Sequence, residues 1–165
     1  MSNKFMIKAI QLSIKSVNSG TGPFGAVIVK NNKIISEGFN TVTLVNDPTS
    51  HAEIAAIRIA CKDLNNFSLK GCDLYTTCEP CPMCLSAIYW ARIDKVYYAN
   101  TRSDAQKIDF SDALIYEELN KSIKGDSSIL VFHFIFFFIP EFKCFQSFIS
   151  HHLVHRNPSF CNALI

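Results

Sequence analysis

The sequence predicts an α/β domain in which helices cover both faces of a mixed sheet, and three observations predict it. Short β-branched runs recur along the first hundred residues. An asparagine pair splits the first of them in the manner of a hairpin, whereas the later runs are separated by helix-forming stretches, which is how parallel strands are connected. Two polar clusters, His51-Ala52-Glu53 and Cys81-Pro82-Met83-Cys84, each open one of those helical stretches. At 165 residues, with 48% hydrophobic and 18% charged side chains, the chain is long enough for one hydrophobic core and too short to expect two.

Phe5, Ile7, Ala9, Ile10, Ile14 and Val17 recur at helical spacing and suggest a first helix with one broad apolar face. It ends before the turn-rich Ser19-Gly20-Thr21-Gly22-Pro23. Phe24 to Lys30 and Lys33 to Phe39 read as paired strands around Asn31-Asn32, because asparagine tolerates the positive φ of a tight hairpin turn. Asn40 to Ser50 reads as polar loop. Ala52 to Cys61 is alanine-rich and helical, stopping near Asn65-Asn66. Cys72 to Thr76 is a short buried strand. Met83 to Ala91 is a helix entered through Pro82, whose missing amide proton is no loss in a first turn. Asp94 to Ala99 is a strand, Asn100 to Phe110 a loop, and Ser111 to Leu119 a short helix with Asp112 in its first turn. The order is α-β-β-α-β-α-β, and the later strands are expected to run parallel.

Residues 124–165 differ in composition. They hold nine of the fourteen phenylalanines, four of the five histidines and no tyrosine. Ile129 to Ile139 is a strand candidate, and it is shorter than the roughly 20 apolar residues a membrane span needs. No secretory leader is recognisable at the N-terminus. An odd count of seven cysteines without such a leader points to a reducing, cytoplasmic setting, with Cys61, Cys72 and Cys78 as free thiols. A net charge of +2 with scattered basic residues does not suggest a nucleic-acid partner, although a local patch is left open.

A lone histidine or a lone Cys-x-x-Cys says little, since redox sites and closed structural zinc sites share the latter. The conjunction says more. His51 opens one helix, and Cys81 and Cys84 open another about thirty residues later, so three protein ligands can meet around one zinc ion with a fourth position left for water. Glu53 could merely complement its helix dipole. Beside such a metal it can also pass a proton from water to a leaving group. His-x-Glu followed by Pro-Cys-x-x-Cys is the pattern of zinc nucleobase deaminases, in which the glutamate is not a ligand.

The chain resembles the cytidine/deoxycytidylate-type zinc deaminase superfamily, and within it the small bacterial-type guanine deaminases. The likeness rests on Gly22 to Val29, Asn46 to Glu53, Cys78 to Cys84, Ala87 to Arg92 and Phe110 to Tyr116, and covers roughly residues 5–123. It implies a three-layer α/β/α cytidine-deaminase-like domain with a mixed five-stranded sheet, the core spanning 1–123 and the atypical hydrophobic segment 124–165 completing or flanking it. It implies one Zn2+ per chain on His51, Cys81 and Cys84, with Glu53 as proton shuttle. Phe24 would pack on the purine, Asn40 would hydrogen-bond the base, the amide of Ala52 would face the substrate, and Trp90 would form part of the pocket wall. Asp112 would contact the 2-amino side and assist proton transfer. Each has a plainer reading: Phe24 and Trp90 as core, Asn40 as a turn residue, Asp112 as a helix cap. The implied reaction is hydrolysis of guanine to xanthine and ammonia by a homodimer, with no membrane association. In the family a C-terminal aromatic closes the pocket; here Phe160, Phe148 or neither takes that place, and a functional diverged tail, a tail buried in an oligomer and an abnormal reading frame stay open. Adenosine deamination in transfer RNA is the closest enzymatic alternative, followed by cytosine or cytidine. A catalytically weak zinc-stabilised assembly protein is the non-enzymatic one.

Overall fold

The computed structural model describes residues 3–121. The chain divides after Asn120, and the strand expected at Ile129 to Ile139, together with Phe148 and Phe160, lies outside the described residues. The elements, in chain order, are α1 (Asn3–Asn18), β1 (Gly25–Lys30), β2 (Lys33–Phe39), α2 (Val42–Val45), α3 (Ala52–Asp63), β3 (Cys72–Cys78), α4 (Pro82–Ala91), β4 (Lys95–Asn100), α5 (Arg102–Gln106) and α6 (Ala113–Leu119). The hairpin forms as expected: Asn31 and Asn32 both take positive φ, 50° and 60°, and Lys30 pairs with Lys33 across them.

Among the described residues the sheet has four strands in the order β2-β1-β3-β4. β1 runs antiparallel to β2 and to β3, so β2 and β3 are parallel to one another, as the α3 crossover requires. β3 and β4 are also parallel, joined by α4. Strand alternation then divides the core in two. Ala26, Ile28, Cys72 and Leu74 face α3 and α4, where Ala52, Ala56, Ala60, Ile88 and Ala91 meet them. Val27, Val29 and Tyr75 face α1, where Phe5 and Leu12 cover them. The result is three layers, α1 on one side and α3 with α4 on the other.

Two glycines set how closely the helices sit. A Cβ on Gly25 would collide with the backbone of Ala9 and Ser13 in α1, and one on Gly38 with the backbone of Ala52 and Ala56 in α3. Gly38 therefore lets β2 lie directly against the first turn of α3, the turn that carries Glu53.

Three expectations are corrected. The single broad apolar face expected on α1 is two stripes. Phe5, Ala9, Leu12 and Ser16 are buried, whereas Ile7, Ile10, Ile14 and Val17 are half-exposed. At about 100° per residue the second group points away from the first, and Ser16 qualifies for the interior because its hydroxyl is hydrogen-bonded. The loop expected from Asn40 to Ser50 contains the single helical turn α2, closed by Asn46 in the left-handed conformation. The loop expected from Asn100 to Phe110 contains α5, which Thr101 and Asp104 cap reciprocally; that Thr-x-x-Asp capping box was visible in the sequence. No helix among the described residues is long and apolar enough to cross a membrane.

Candidate metal centre and active site

The two ligand-bearing segments are built alike. His51 and Cys81 occupy the N-cap positions of α3 and α4 in extended backbone conformation, and neither side chain caps its own helix. Both are thereby left to turn toward each other. The approach to His51 is held by Asp47, whose carboxylate accepts the Thr49 amide at 2.8 Å and hydroxyl at 2.7 Å. Arg58 of α3 donates to both residues. Cys84, one turn into α4, is fully buried.

His51 Nδ1 lies 3.6 Å from Cys81 Sγ and 3.6 Å from Cys84 Sγ, and the three ligand atoms lie within 4.8 Å of one another. Zinc–sulfur bonds of about 2.3 Å and a zinc–nitrogen bond of about 2.0–2.1 Å, set at tetrahedral angles, place sulfur and nitrogen roughly 3.6 Å apart. The donor set thus fits zinc in type and in spacing. The thiols agree. Hydrogen bonding from Cys84, helped by His51, pulls Cys81 down to about 4. The same bond, with burial, pushes Cys84 up. The opposed shifts come from one sulfur donating to the other, and a bound cation is what permits both to ionise. The contact with Cys81 raises His51.

Glu53 is buried beside this cluster. Its Oε1 accepts the Thr76 hydroxyl at 3.1 Å and its Oε2 accepts the Cys84 thiol at 3.5 Å. Burial pushes the carboxyl upward, and the Thr76 bond acts against that rise. A buried carboxylate whose proton affinity is raised, within reach of a three-ligand metal site, has the means to take and return a proton.

Of the other residues singled out in the sequence, Ala52 is fully buried at the first position of α3, where its amide has no acceptor inside the helix. Asn40 is buried, and its amide donates to the Phe24 carbonyl at 3.1 Å, which sets the two side by side. The Asn40 side-chain oxygen accepts the Val42 amide. Phe24 packs on the core and meets the ring of Phe110 edge-on at 5.1 Å. Asp112 is at the N-cap position of α6, yet its side chain makes no capping bond. Burial pushes its carboxyl up, and the negative charge of Cys81 adds to that. Trp90 is not gathered with the others: it is 61% exposed and lies roughly 9 Å beyond Cys84 along α4. Nor is it core, the default for a tryptophan.

Residues 1–100 match the model of the cytidine and deoxycytidylate deaminase zinc-binding region. The chain belongs to this deaminase family. Among its relatives, the guanine deaminase of Bacillus subtilis (strain 168) is 56% identical over 118 residues, 71% of this chain and 76% of that protein. A tRNA-specific adenosine deaminase of Aquifex aeolicus (strain VF5) is 43% identical over 100 residues, 60% of this chain and 66% of that protein. The X-ray structure of a guanine deaminase from Bacillus subtilis superposes with a TM-score of 0.83 at 46% identity, covering 91% of this chain and 95% of that one.

Three residues near this deaminase site were not singled out in the sequence. Thr76, which holds Glu53, lies in a Thr-Thr pair within a buried strand. Phe110 lies in the Phe110 to Tyr116 segment of the family likeness, with no other signal. Glu79 likewise lies in the Cys78 to Cys84 segment, but nothing local points to its partner, which lies twenty-three residues away.

Proposed function

We propose that this protein is a zinc-dependent guanine deaminase, converting guanine and water to xanthine and ammonia. The observation that carries deamination is the His51–Cys81–Cys84 cluster with a buried carboxylate beside it. Guanine rather than adenosine is supported by the greater likeness to a guanine deaminase, 56% against 43%.

His51, Cys81 and Cys84 would hold one zinc ion per chain, and zinc when bound supplies a Lewis acid that acidifies water near neutral pH. Glu53 takes a proton from the water as its oxygen bonds to C2 of the purine, and delivers that proton to N3. The C2 hydroxyl then gives its proton to Glu53 as the carbonyl forms, and the C2–amine bond breaks as that proton, passed on by Glu53 directly or through Asp112, leaves on ammonia. The charge of Asp112 would also favour a base bearing a 2-amino donor. Phe24 offers the ring an apolar face. Asn40, with its side-chain oxygen already engaged by Val42, offers the base its amide protons. Ala52 contributes a backbone amide, and Trp90 remains a wall candidate only in an assembly that brings it to a pocket. A homodimer belongs to the same reading, supported by the exposed Leu85, Tyr89 and Trp90 along α4. A cytoplasmic setting is supported by the free cysteines Cys61, Cys72 and Cys78.

The test is ammonia release by the zinc-loaded protein offered guanine, with adenine, cytosine and an adenosine-containing anticodon stem-loop in parallel. Release with guanine alone is expected. Release with the stem-loop alone would move the assignment to transfer-RNA editing. Glu53→Gln should retain zinc and lose turnover.

A further inference from the structure

We infer that Glu79 is a positioning residue. It ties the loop bearing Cys81 to α5, and through α5 it sets Phe110 and Asp112 against the metal ligands. The inference rests on the deaminase reading.

The carboxylate of Glu79 accepts the backbone amide of Arg102, the first residue of α5, at 3.0 Å. Its own amide donates to the Asn100 carbonyl at 2.8 Å. Asn100 Nδ2 in turn donates to the Thr77 carbonyl at 3.0 Å. The end of β3 and the start of the Cys81 loop are thus stitched to the end of β4 over three consecutive residues. The stitch continues beyond α5. Phe110 closes that helix by donating its amide to the Ala105 carbonyl at 3.1 Å. Its ring then meets Phe24, and Asp112 follows two residues later.

The segment 100–112 is therefore a bracket with two fixed ends, Glu79 at one and the Phe24–Phe110 contact at the other. α5 is only five residues long, too short to hold its own direction, and isolated helices of that length do not persist. Thr101 and Asp104 cap α5 from within. The Cys78 thiol reaches only the N-cap carbonyl of Thr101, at 3.7 Å, whereas the Glu79 carboxylate takes the first amide of α5 itself. Cut there, α5 keeps its cap and loses its registration to Cys81. Asp112 would then move relative to the substrate, while His51, Cys81 and Cys84 would stay where α3 and α4 put them.

The backbone geometry allows that one bond to be removed alone. Arg102 is the first residue of α5, where proline is tolerated, and Thr101 before it is already extended at φ −83°, ψ 165°, as a residue preceding proline must be. Arg102→Pro deletes the donor. Arg102→Ala keeps the donor and removes only the guanidinium that sits over the Tyr116 ring. The measurements are kcat and KM on guanine, the rate of zinc loss to a chelator, and the visible d–d spectrum of the cobalt-substituted protein. Arg102→Pro and Glu79→Ala should each lower kcat about tenfold relative to Arg102→Ala, the usual size for one hydrogen bond to a charged group. Zinc loss and the cobalt spectrum should stay within about twofold and unshifted. Glu79→Gln, which retains an accepting oxygen, should recover most of kcat. Arg102→Pro turning over like Arg102→Ala would overturn the inference, as would Glu79→Gln failing as badly as Glu79→Ala. A cobalt spectrum shifted in Glu79→Ala would overturn it too, by placing the effect on the ligands. Wild-type protein inactive on guanine would count against the functional reading instead, and would leave the Glu79 comparison to be read on the active substrate.

Discussion

Replacing Thr76 with valine isolates the support of Glu53. Valine matches threonine in shape and suits the middle of a strand, so β3 should persist. What disappears is the hydroxyl donating to Glu53 Oε1 at 3.1 Å, between two side chains that are 1% and 6% exposed. The second donor to that carboxylate is the thiol of Cys84, and a thiol that ligates zinc has given up its proton. In the metal-loaded protein Thr76 is therefore the remaining side-chain donor among the described residues. A hydrogen bond to a charged group contributes about 1.5–3 kcal/mol, or about 10- to 150-fold. At 3.1 Å the contact is at the long end for a hydroxyl, so about tenfold in kcat/KM is expected. The pH profile should move as well. The Thr76 bond opposes the upward push of burial on Glu53; without it the carboxyl rises further. The proton-accepting form is the carboxylate, so the acid limb of kcat/KM must move to higher pH. The assay is guanine turnover across pH at verified zinc content. An unmoved acid limb with kcat/KM within twofold of wild type would refute the assignment of Glu53 as the proton carrier.

Three further outcomes follow from the same geometry. Chelation should lower the thermal midpoint, and added zinc but not magnesium should restore it, because nitrogen and thiolate ligands suit zinc; a midpoint indifferent to chelator would remove the metal from the fold. Gly38→Ala should destabilise the protein by about 2 kcal/mol or more and reduce zinc retention, since the added methyl meets the α3 backbone; denaturant unfolding at near-wild-type midpoint would contradict that packing. Asp112→Asn should lose turnover yet gain stability: burial raises the folded carboxyl, so the folded form binds its proton more tightly than the unfolded one and wild-type stability falls as pH rises through the carboxylate range. The stability difference should grow over that range, and a constant difference would sink the argument.

The metal ligands were legible because their constraint is local. A Cys-x-x-Cys at a helix start is an i, i+3 pair that places both sulfurs on one face, and His-x-Glu sets the imidazole on the extended N-cap residue and the carboxylate in the first turn of the same helix start. Only one long-range fact was needed, that the two helix starts meet, and the parallel crossovers supply it. The strands and the hairpin were legible for the same reason: Asn31-Asn32 carries its own backbone preference, and Ala26-Val27-Ile28-Val29 is a continuous apolar run, as befits a strand buried on both faces. The α1 stripe was not. Eight apolar residues on a sixteen-residue helix admit two faces, and Gly25, which lies on another element, opens room for the Ala9 side of the helix.

The same distinction explains which parts of the active site stayed hidden. Thr76, Glu79 and Phe110 act across twenty-three, twenty-three and eighty-six residues, through Glu53, Arg102 and Phe24 respectively. None has a fixed spacing to its partner, so no short pattern announces it. Asp112 shows how this misleads in the other direction. Beside Ser111 and before a helix, it has the local sequence of a cap, yet the Ala113 amide donates to the Ser111 hydroxyl and the Asp112 carboxylate caps nothing. An acid spared from capping and pushed up by burial, with the charge of Cys81 adding to the push, is costly to keep unless it meets something else. Within this deaminase site, a substrate amine is the partner whose chemistry would compensate it.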